Sequence, residues 1–493
     1  MGTRMLAVIP RPVRRVAVAV IVFLAWGSPV SGRAQQAADR YGVYETDFAS
    51  IEEYRDRRAR LMSRMDSASV AVFRASAAAM RNGDVNYRYR QNSNLLYLTG
   101  CPEWGAVLLL VPDGVRVDSV STVREILFVQ TGGRTWTGEQ LGVEGANAVL
   151  GFGRSGTSSL ALPFDQFQDV FARAMAGKKV LYYTHTLPEL VMDPVSGKKF
   201  VTAKEIKNEI KARYPGVELK SPLGILSEMR TIKSPAERRL LQKAIDATTA
   251  AHIEAMKSCE PAMREYELQA VIEYCFTRLG AEYTGFPSIV GSGPNALLFH
   301  YEADRRTMQA GETVVMDIGA EYHGYSADVT RTIPVNGTFS PAQRELYGIV
   351  LDAQQEAVRE MKTGADASAP SRRAFEVLAD GLLKLRIISD RNEVSKYCPH
   401  GISHPVGLEV HDVGSFSKPL QAGSVLTMEP GLYIPEGSPC DRKYWNIGIR
   451  IEDDVLVTDD GGKILSGDAP RAIADIERLM KKKGIGNQPI GTK

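Results

Sequence analysis

Cysteine is scarce in this sequence, and no two cysteines form a C-x-x-C pair. Five cysteines are spread over 493 residues, at Cys101, Cys259, Cys275, Cys398 and Cys440. An odd and widely spaced set matches neither a disulfide framework nor a thiolate zinc site. At most two disulfide bridges could form, and their pairing is left open. The sequence therefore excludes a small disulfide-stabilised scaffold and a zinc knuckle.

A hydrophobic run long enough to span a membrane is also missing from the N-terminus. Residues 1–34 have a basic start, an apolar run of eleven residues over 16–26, and small, turn-forming residues at the end. A membrane-spanning helix needs roughly 20 apolar residues, whereas this arrangement is typical of a secretory signal peptide. We therefore expect cleavage near Ala34 and an exported protein, periplasmic or secreted, without a stable membrane anchor. Arg14 and Arg15 leave a twin-arginine signal open beside the general secretory type.

The chain has no excess of basic residues. Its formal charge of +2 depends on five arginines in residues 1–34, which contain no acid, so the remainder is weakly acidic. Such a chain lacks the electrostatic footprint of a nucleic-acid-binding protein. The one basic run, Lys481 to Lys483, begins the C-terminal end. We expect residues 481–493 to form a flexible basic tail.

Length and composition predict a globular protein of two or three domains. Residues 45–225 alternate short β-branched runs with helical patterns, which predicts an α/β domain. A connector follows at Leu223 to Thr231. Ser234, Pro235 and Glu237 then form a capping-box pattern that predicts the first helix of a second domain. We place this domain at residues 233–480, and its helices and strand runs predict an α+β fold.

Residues 313–332, TVVMDIGAEYHGYSADVTRT, predict a β-hairpin. His323-Gly324 falls where a two-residue loop is expected, so that Tyr322 pairs with Tyr325. This register brings Asp317 and Asp328 to the same face. Two close carboxylates among apolar residues are costly unless a cation lies between them. Because an isolated pair of aspartates is more often solvated or turn-forming, the hairpin alone predicts only half of a metal site.

The remaining candidate ligands follow further along the chain. His404 lies in HGISHPVGLEVHD, residues 400–412, where three histidines share an irregular, glycine-containing segment. Glu429 ends an apolar strand, and Glu452 lies on the same strand face as Arg450, where a surface ion pair is the alternative. The candidate metal ligands are thus Asp317, Asp328, His404, Glu429 and Glu452. Oxygen-rich ligation with one nitrogen suits manganese, cobalt or zinc in a two-metal arrangement.

These motifs resemble those of the pita-bread metallopeptidases and, within them, the aminopeptidase P (Xaa-Pro aminopeptidase) family. The similar segments are MDIGAEYHGYSADVTRT, HGISHPVGLEVHD, MEPGLY and IRIEDDVLVT, in the same order and spacing. YRQNSNLLYLTG (residues 89–100) and WTGEQLGVEGA (residues 136–146) resemble the N-terminal domain of that family. The resemblance implies an α/β N-terminal domain followed by an α+β pita-bread catalytic domain. It also implies metal-dependent hydrolysis of the bond before a proline in the second position of a peptide.

Residue roles follow from the resemblance by position. Asp317 would bind one metal ion and His404 with Glu429 the other, while Asp328 and Glu452 would bridge the two, with manganese expected first. Glu429 would also carry a proton towards the leaving proline nitrogen. His300 and His411 would contact the substrate and stabilise the tetrahedral intermediate. His400 and Arg450 would support the ligands.

Several alternatives stay open at this point. A prolidase, which cleaves Xaa-Pro dipeptides, would use the same ligands, although the N-terminal motifs favour aminopeptidase P. Methionine aminopeptidases are usually shorter and lack the domain of residues 45–225. A creatinase-like enzyme or a non-catalytic pita-bread binding module would be expected to lack some of the five ligands. The family often forms dimers or tetramers, so a homo-oligomer acting on proline-containing peptides is expected.

Overall fold

The computed structural model describes residues 47–119, 121–135, 138–154, 156–183, 203–414 and 417–488. The predicted signal peptide lies outside the described residues, as do Trp136 and Thr137 of the second N-terminal motif. Within the described ranges, none of the helices combines the length and apolar character that crossing a membrane requires.

The helices and strands are numbered here in chain order. The α-helices are α1 Ile51–Met62, α2 Ser93–Thr99, α3 Gly142–Val149, α4 Phe167–Met175, α5 Ala203–Arg213, α6 Leu223–Thr231, α7 Pro235–Ser258, α8 Glu265–Arg278, α9 Pro341–Glu360, α10 Ala369–Lys384 and α11 Ile473–Leu479. The strands up to residue 220 are β1 Ser69–Arg74, β2 Met80–Asn82, β3 Val85–Asn86, β4 Val107–Arg116, β5 Thr122–Val129, β6 Gly133–Thr135, β7 Gly138–Gln140, β8 Ser159–Pro163, β9 Val180–Tyr183 and β10 Glu218–Lys220. Those that follow are β11 Tyr283–Thr284, β12 Ile289–Ser292, β13 Thr313–Ile318, β14 Ala320–Tyr322, β15 Tyr325–Ser326, β16 Val329–Pro334, β17 Val425–Met428, β18 Gly431–Ile434, β19 Ile447–Arg450, β20 Asp453–Val457 and β21 Gly462–Ile464. Short 3-10 helices occupy Phe164–Gln166, Gly293–Leu297, Arg391–Lys396, Arg442–Tyr444 and Ile485–Asn487.

The N-terminal part of the chain forms a mixed sheet with the strand order β10-β9-β1-β4-β5-β8. Its outer pairs are parallel, whereas β1, β4 and β5 pair antiparallel at the centre. The β-branched and apolar runs of β1 and β5 bury side chains on both faces, and separate cores lie on the two sides. Helices cover a sheet of this kind on both faces, which is the α/β arrangement that the alternating pattern predicts.

The connector between the two sheet systems is helical. Residues 223–231 form α6, and α7 begins four residues later with the predicted capping box. The Ser234 hydroxyl oxygen accepts from the Glu237 N–H at 3.2 Å, and Glu237 Oε2 accepts from the Ser234 N–H at 3.0 Å. These two bonds satisfy N–H groups that no helical carbonyl can reach, and they fix the start of α7.

The central hairpin of the second part has the predicted register. Tyr322 pairs with Tyr325 and Asp317 with Thr330, so β13–β16 and β14–β15 keep the same register although they belong to separate sheets. His323 adopts a positive φ of 49°, as a two-residue hairpin loop requires, and Gly324 follows at 81°. The hairpin tip is covered by Phe48, whose ring stacks on His323 at 4.0 Å.

The strands that carry Glu429 and Glu452 are both interrupted at those residues. β17 pairs with β20 and β18 pairs with β19, so each continuous run of the sequence splits into two strands with different partners. The strand predicted to carry both Arg450 and Glu452 is broken, because Ile451-Glu452 lies between β19 and β20. The Glu452 N–H donates instead to Thr330 O at 3.0 Å, which ties this break to the hairpin.

The C-terminal end differs from the expected flexible tail. Lys481 to Lys483 are exposed, but the described residues 484–488 pack against the end of α7. Asn487 Nδ2 donates to Ser258 O at 2.8 Å, and the Gly486 N–H donates to the Ser258 hydroxyl at 3.1 Å. The last carbonyl groups of a helix lack helical partners, and the Asn487 side chain is the partner of one such carbonyl, that of Ser258.

Candidate active site

Three separate parts of the second domain supply the five predicted ligands. The hairpin contributes Asp317 and Asp328, the segment before β17 contributes His404, and the two strand breaks contribute Glu429 and Glu452. The His404 N–H donates to the Thr427 hydroxyl at 3.0 Å, and the Thr427 N–H donates to His404 O at 2.8 Å, so this residue is held beside the strand that leads to Glu429. All five side chains therefore meet where the hairpin crosses the paired breaks.

The ligand atoms lie close enough to share ions. Candidate ligand atoms of Asp328, His404 and Glu452 all lie within 4.8 Å of one another. His404 Nε2 is 3.4 Å from Asp328 Oδ2 and 3.4 Å from Glu429 Oε1. These distances are longer than a good hydrogen bond and place a nitrogen and several oxygens around common positions.

The two carboxylate oxygens of Asp317 have different surroundings. Its Oδ2 accepts from Arg450 Nη2 at 2.6 Å. Its Oδ1 is shielded from solvent and has no hydrogen-bond partner among the described residues. A buried carboxylate oxygen left in this state is costly. It fits the direct coordination of a cation.

The other carboxylates are destabilised in their charged form. Burial raises the pKa of Asp328 well above its usual range, and the charges of Asp317 and Glu429 raise it further. Burial likewise raises the pKa of Glu452, helped by Asp328 and Glu429. Burial raises the pKa of Glu429 to about 7 although His404 and Arg450 oppose the shift. Such a set of oxygen donors with one imidazole fits divalent cations, which would offset the repulsion.

The two supporting residues form a chain with a tyrosine. Arg450 is 3% exposed and its Nη1 donates to the Tyr433 hydroxyl at 2.8 Å. The Tyr433 hydroxyl is 2.9 Å from His400 Nε2, while His400 Nδ1 is 2.8 Å from Gly401 O. Burial lowers the pKa of His400 to about 4, so the imidazole is neutral at physiological pH. Because Arg450 is itself buried, the alternative of a surface ion pair between Arg450 and Glu452 is excluded.

The histidines proposed to meet the substrate lie beside the ligands. The rings of His411 and His404 are 4.1 Å apart. Burial lowers the pKa of His411, and the nearby charges of His404 and His300 act in the same direction. His300 is exposed, and its electrostatic influence reaches both His400 and His411. The structure thus brings all nine predicted site residues around one centre.

The sequence interpretation omitted several polar residues that contact the predicted site residues, including a group of four. The Thr330 hydroxyl donates to Glu452 Oε2 at 2.6 Å, and Asp454 Oδ2 accepts from the Asp328 N–H at 3.1 Å. Thr427 and Tyr433 complete the group. Thr330 and Asp454 sit two residues from a predicted ligand, on a strand whose side chains alternate, and this spacing was a usable signal. Tyr433 offered none, since its partners are distant in sequence.

Two family models match this chain. Residues 54–182 match the model described as "Aminopeptidase P, N-terminal domain", and residues 239–459 match "Metallopeptidase family M24". The second match spans all five candidate ligands. The first covers most of the mixed sheet.

Individual proteins are similar over most of the chain. The Xaa-Pro aminopeptidase of Escherichia coli (strain K12) is 34% identical over 448 residues, which cover 87% of this chain and 98% of that protein. The structure of E. coli aminopeptidase P with the inhibitor Pro-Leu superposes with a TM-score of 0.78 at 33% identity, covering 88% of this chain and 99% of that one. The zinc-substituted E. coli aminopeptidase P in complex with product has a TM-score of 0.77 at 33% identity, with the same coverage. The chain therefore belongs to metallopeptidase family M24, with the two-domain organisation of the aminopeptidase P group.

Proposed function

We propose that this protein is an Xaa-Pro aminopeptidase, which hydrolyses the first peptide bond of substrates with proline in the second position. The observation that carries the proposal is the convergence of four buried or half-buried carboxylates and one imidazole, in which one Asp317 oxygen has no hydrogen-bond partner among the described residues. The kinship with the E. coli enzyme supports the same reaction.

Two divalent ions per chain are proposed as the cofactor, with manganese first and cobalt or zinc as alternatives. Asp317, Asp328, His404, Glu429 and Glu452 would hold them, and two dipositive ions would balance four carboxylates. When bound, such ions supply Lewis-acid polarisation of the scissile carbonyl and activation of water. The oxygen-rich donor set supports manganese over ions that prefer sulfur.

The protein's own groups handle the proton and the developing charge. Glu429 takes the proton of the attacking water and passes it to the proline nitrogen, which lacks an N–H of its own and must be protonated to leave. His411 and His300 donate hydrogen bonds to the oxygen that becomes negative. Arg450 neutralises one oxygen of Asp317 and holds Tyr433 against His400.

An aromatic wall beside the ligands supports recognition of the proline ring. The Phe299 ring lies 4.8 Å from the Tyr433 ring and 5.2 Å from the His400 ring. Packing against such rings favours a compact, apolar side chain. This wall is proposed to bind the proline in the second substrate position.

A peptide ladder tests the function directly. The metal-free protein is loaded in parallel with manganese, cobalt or zinc and incubated with Xaa-Pro-Yaa peptides and with an Xaa-Pro dipeptide, and products are identified by mass. An aminopeptidase releases the first residue from the tripeptides. A prolidase would leave the tripeptides intact and cut the dipeptide. Fewer than one ion per chain and no cleavage would indicate a binding module.

Export after cleavage of residues 1–34 is proposed as well. The basic start, the short apolar run and the small residues before Ala34 support it. N-terminal sequencing of the protein recovered from the periplasm or the medium tests it. An intact N-terminus in the cytoplasm would overturn it.

A homo-oligomer, dimer or tetramer, is proposed for the mature protein. Support comes from the β2–β3 hairpin and its flank, where Met80 is 68%, Val85 50% and Tyr87 53% exposed. Clustered exposed apolar residues are typical of interaction surfaces. Light scattering after size-exclusion chromatography measures the mass, and a monomer at micromolar concentration would contradict the proposal.

A further inference from the structure

The N-terminal motif YRQNSNLLYLTG contacts the segment that carries His411, which we call the His411 segment and define as residues 405–412. This segment closes on itself, because the Asp412 N–H donates to Pro405 O at 2.8 Å. The Ser326 N–H donates to Gly407 O at 2.8 Å and ties the segment to the hairpin. Further polar contacts come from the N-terminal domain, from the connector and from Lys233.

One set of contacts holds the backbone of the segment at Leu408. Arg90 Nη2 and the Ser93 hydroxyl both donate to Leu408 O, the latter at 3.2 Å. The same Arg90 nitrogen donates to Gly324 O at 3.2 Å, while Arg90 Nε pairs with Glu321 Oε2 at 2.6 Å. A single guanidinium therefore fixes the distance between the hairpin tip and the His411 segment.

A second set holds the side chain next to His411. The Asp412 carboxylate accepts from Arg230 Nη2 and, at 3.1 Å, from Lys233 Nζ, and the three side chains are 1–2% exposed. Arg230 Nη1 donates in turn to Asn94 Oδ1 at 2.7 Å. Buried charges depend strongly on having every partner in place. The connector thus joins Asn94 to the residue that follows His411.

We infer that the Arg90–Asn94 segment positions His411 for the reaction, with Ser93 and Asn94 as positioning residues that act on it through Leu408 O and through Arg230 and Asp412. The inference rests on the proposed function, since the reaction is its readout. A donor that stabilises a developing negative charge must be placed within a fraction of an ångström. The N-terminal domain is in this sense a part of the active site.

Double-mutant cycles with His411→Ala test the inference. Asn94→Ala removes an acceptor of Arg230, and Ser93→Ala removes one donor to Leu408 O. In the otherwise unchanged protein we expect kcat for an Xaa-Pro-Yaa peptide to fall by about 10- to 100-fold for Asn94→Ala and by a few-fold to about 10-fold for Ser93→Ala. In the His411→Ala background the same substitutions change kcat by less than about twofold. KM and the bound metal per chain stay unchanged.

Two further variants separate positioning from general damage. Ser69→Ala is the matched control, because the buried Ser69 hydroxyl also donates to a backbone carbonyl, that of Asp66, at the start of β1 in the N-terminal domain. It leaves kcat unchanged. Asn94→Asp keeps an oxygen acceptor for Arg230 and restores most of the lost kcat. If Asn94→Ala unfolds below the assay temperature, Ser93→Ala carries the cycle.

The outcomes are distinct. Equal losses with and without His411, an unchanged kcat in both Asn94→Ala and Ser93→Ala, or an equal loss in Ser69→Ala would overturn the inference while the parent enzyme stays active. A metal-loaded parent that cleaves no peptide of the ladder would overturn the proposed function, and with it this inference.

Discussion

Single residues settle how charge is balanced in the active site. Arg450 pairs with one oxygen of Asp317, and the other is shielded and has no hydrogen-bond partner in the part of the chain that the structure describes. Within the described residues, neither Asp328 nor Glu452 forms an ion pair with a lysine or arginine. The charges of Asp317 and Glu429 raise the pKa of Asp328, and those of Asp328 and Glu429 raise the pKa of Glu452. The bound cations would therefore matter most to these two residues.

Removing either carboxylate that is proposed to bridge the metal ions should abolish the reaction. For Asp328→Ala and Glu452→Ala we expect no detectable release of the first residue from Xaa-Pro-Yaa peptides and loss of metal from the protein. The fold should persist, because each change also removes like-charge repulsion. Turnover and metal content are measured together with the circular dichroism spectrum. Asp380→Ala is the control, since Asp380 is an exposed carboxylate paired with Arg391. Residual wild-type turnover in either variant would break the bridging assignment.

His411→Ala should affect the chemical step. We expect kcat to fall by about 10²–10³, as for the loss of one donor to a developing oxyanion. KM should change little, because the hydrogen bond strengthens only as the charge develops. Steady-state kinetics on one tripeptide separate the two constants. A change confined to KM would assign His411 to substrate binding alone.

At the level of elements, the hairpin depends on one close approach of its two arms. A Cβ atom at Gly319 would lie 1.9 Å from Ala327 O and 2.8 Å from the Phe286 ring. Only glycine lets the two arms approach here. The proposed metal ligands Asp317 and Asp328 lie on either side of this contact.

Gly319→Ala should therefore separate the arms. We expect a loss of roughly 2–4 kcal/mol in the free energy of unfolding and a weakened affinity for metal, because backbone must move. Gly348→Ala is the matched control, since Gly348 lies inside α9 with nothing within 4 Å of a new Cβ atom. That substitution should stabilise the protein by about 0.5–1 kcal/mol. Denaturant unfolding measures the free energy of unfolding of both variants, and equal changes would contradict this prediction.

The hairpin register was predictable, because the loop His323-Gly324 and the alternation of side chains are local. Only one of the two strand breaks could be predicted from the sequence. Pro430 predicts the end of β17, whereas the break at Glu452 follows from a change of partner strand that no local pattern encodes. The site residues themselves followed from the family motifs. The strand of Arg450 taken alone also fits a surface ion pair with Glu452. The resemblance alone gave Arg450 a role at the site, since its partner Asp317 lies 133 residues away.

At the level of the whole molecule, the two domains share one of their cores. Leu95, Tyr97 and Leu98 of the N-terminal domain pack in the same buried cluster as Tyr325 of the hairpin and Leu408 of the His411 segment. Apolar contacts of this kind, together with the Asp412 contacts, make the interface a fixed part of the fold. The sequence indicated two domains but could not show this joint core, because it is built from distant segments.

The stability of the whole protein should depend more strongly on pH when the metal is absent. In the folded, metal-free protein burial raises the pKa of Glu429 from 4.5 to about 7, and the pKa values of Asp328 and Glu452 are raised as well. Folding then favours the protonated groups, so their contribution to stability is present below about pH 4.5 and lost as the pH rises through about 7. We expect the metal-free protein to lose roughly 1–3 kcal/mol of unfolding free energy over this window.

Calorimetry in chelator and in saturating manganese measures both states at each pH. The loaded protein should show a smaller decline, because cations offset the carboxylate charges, and Glu429→Gln should flatten the metal-free profile. Parallel profiles with and without metal would mean that these carboxylates do not govern the pH dependence.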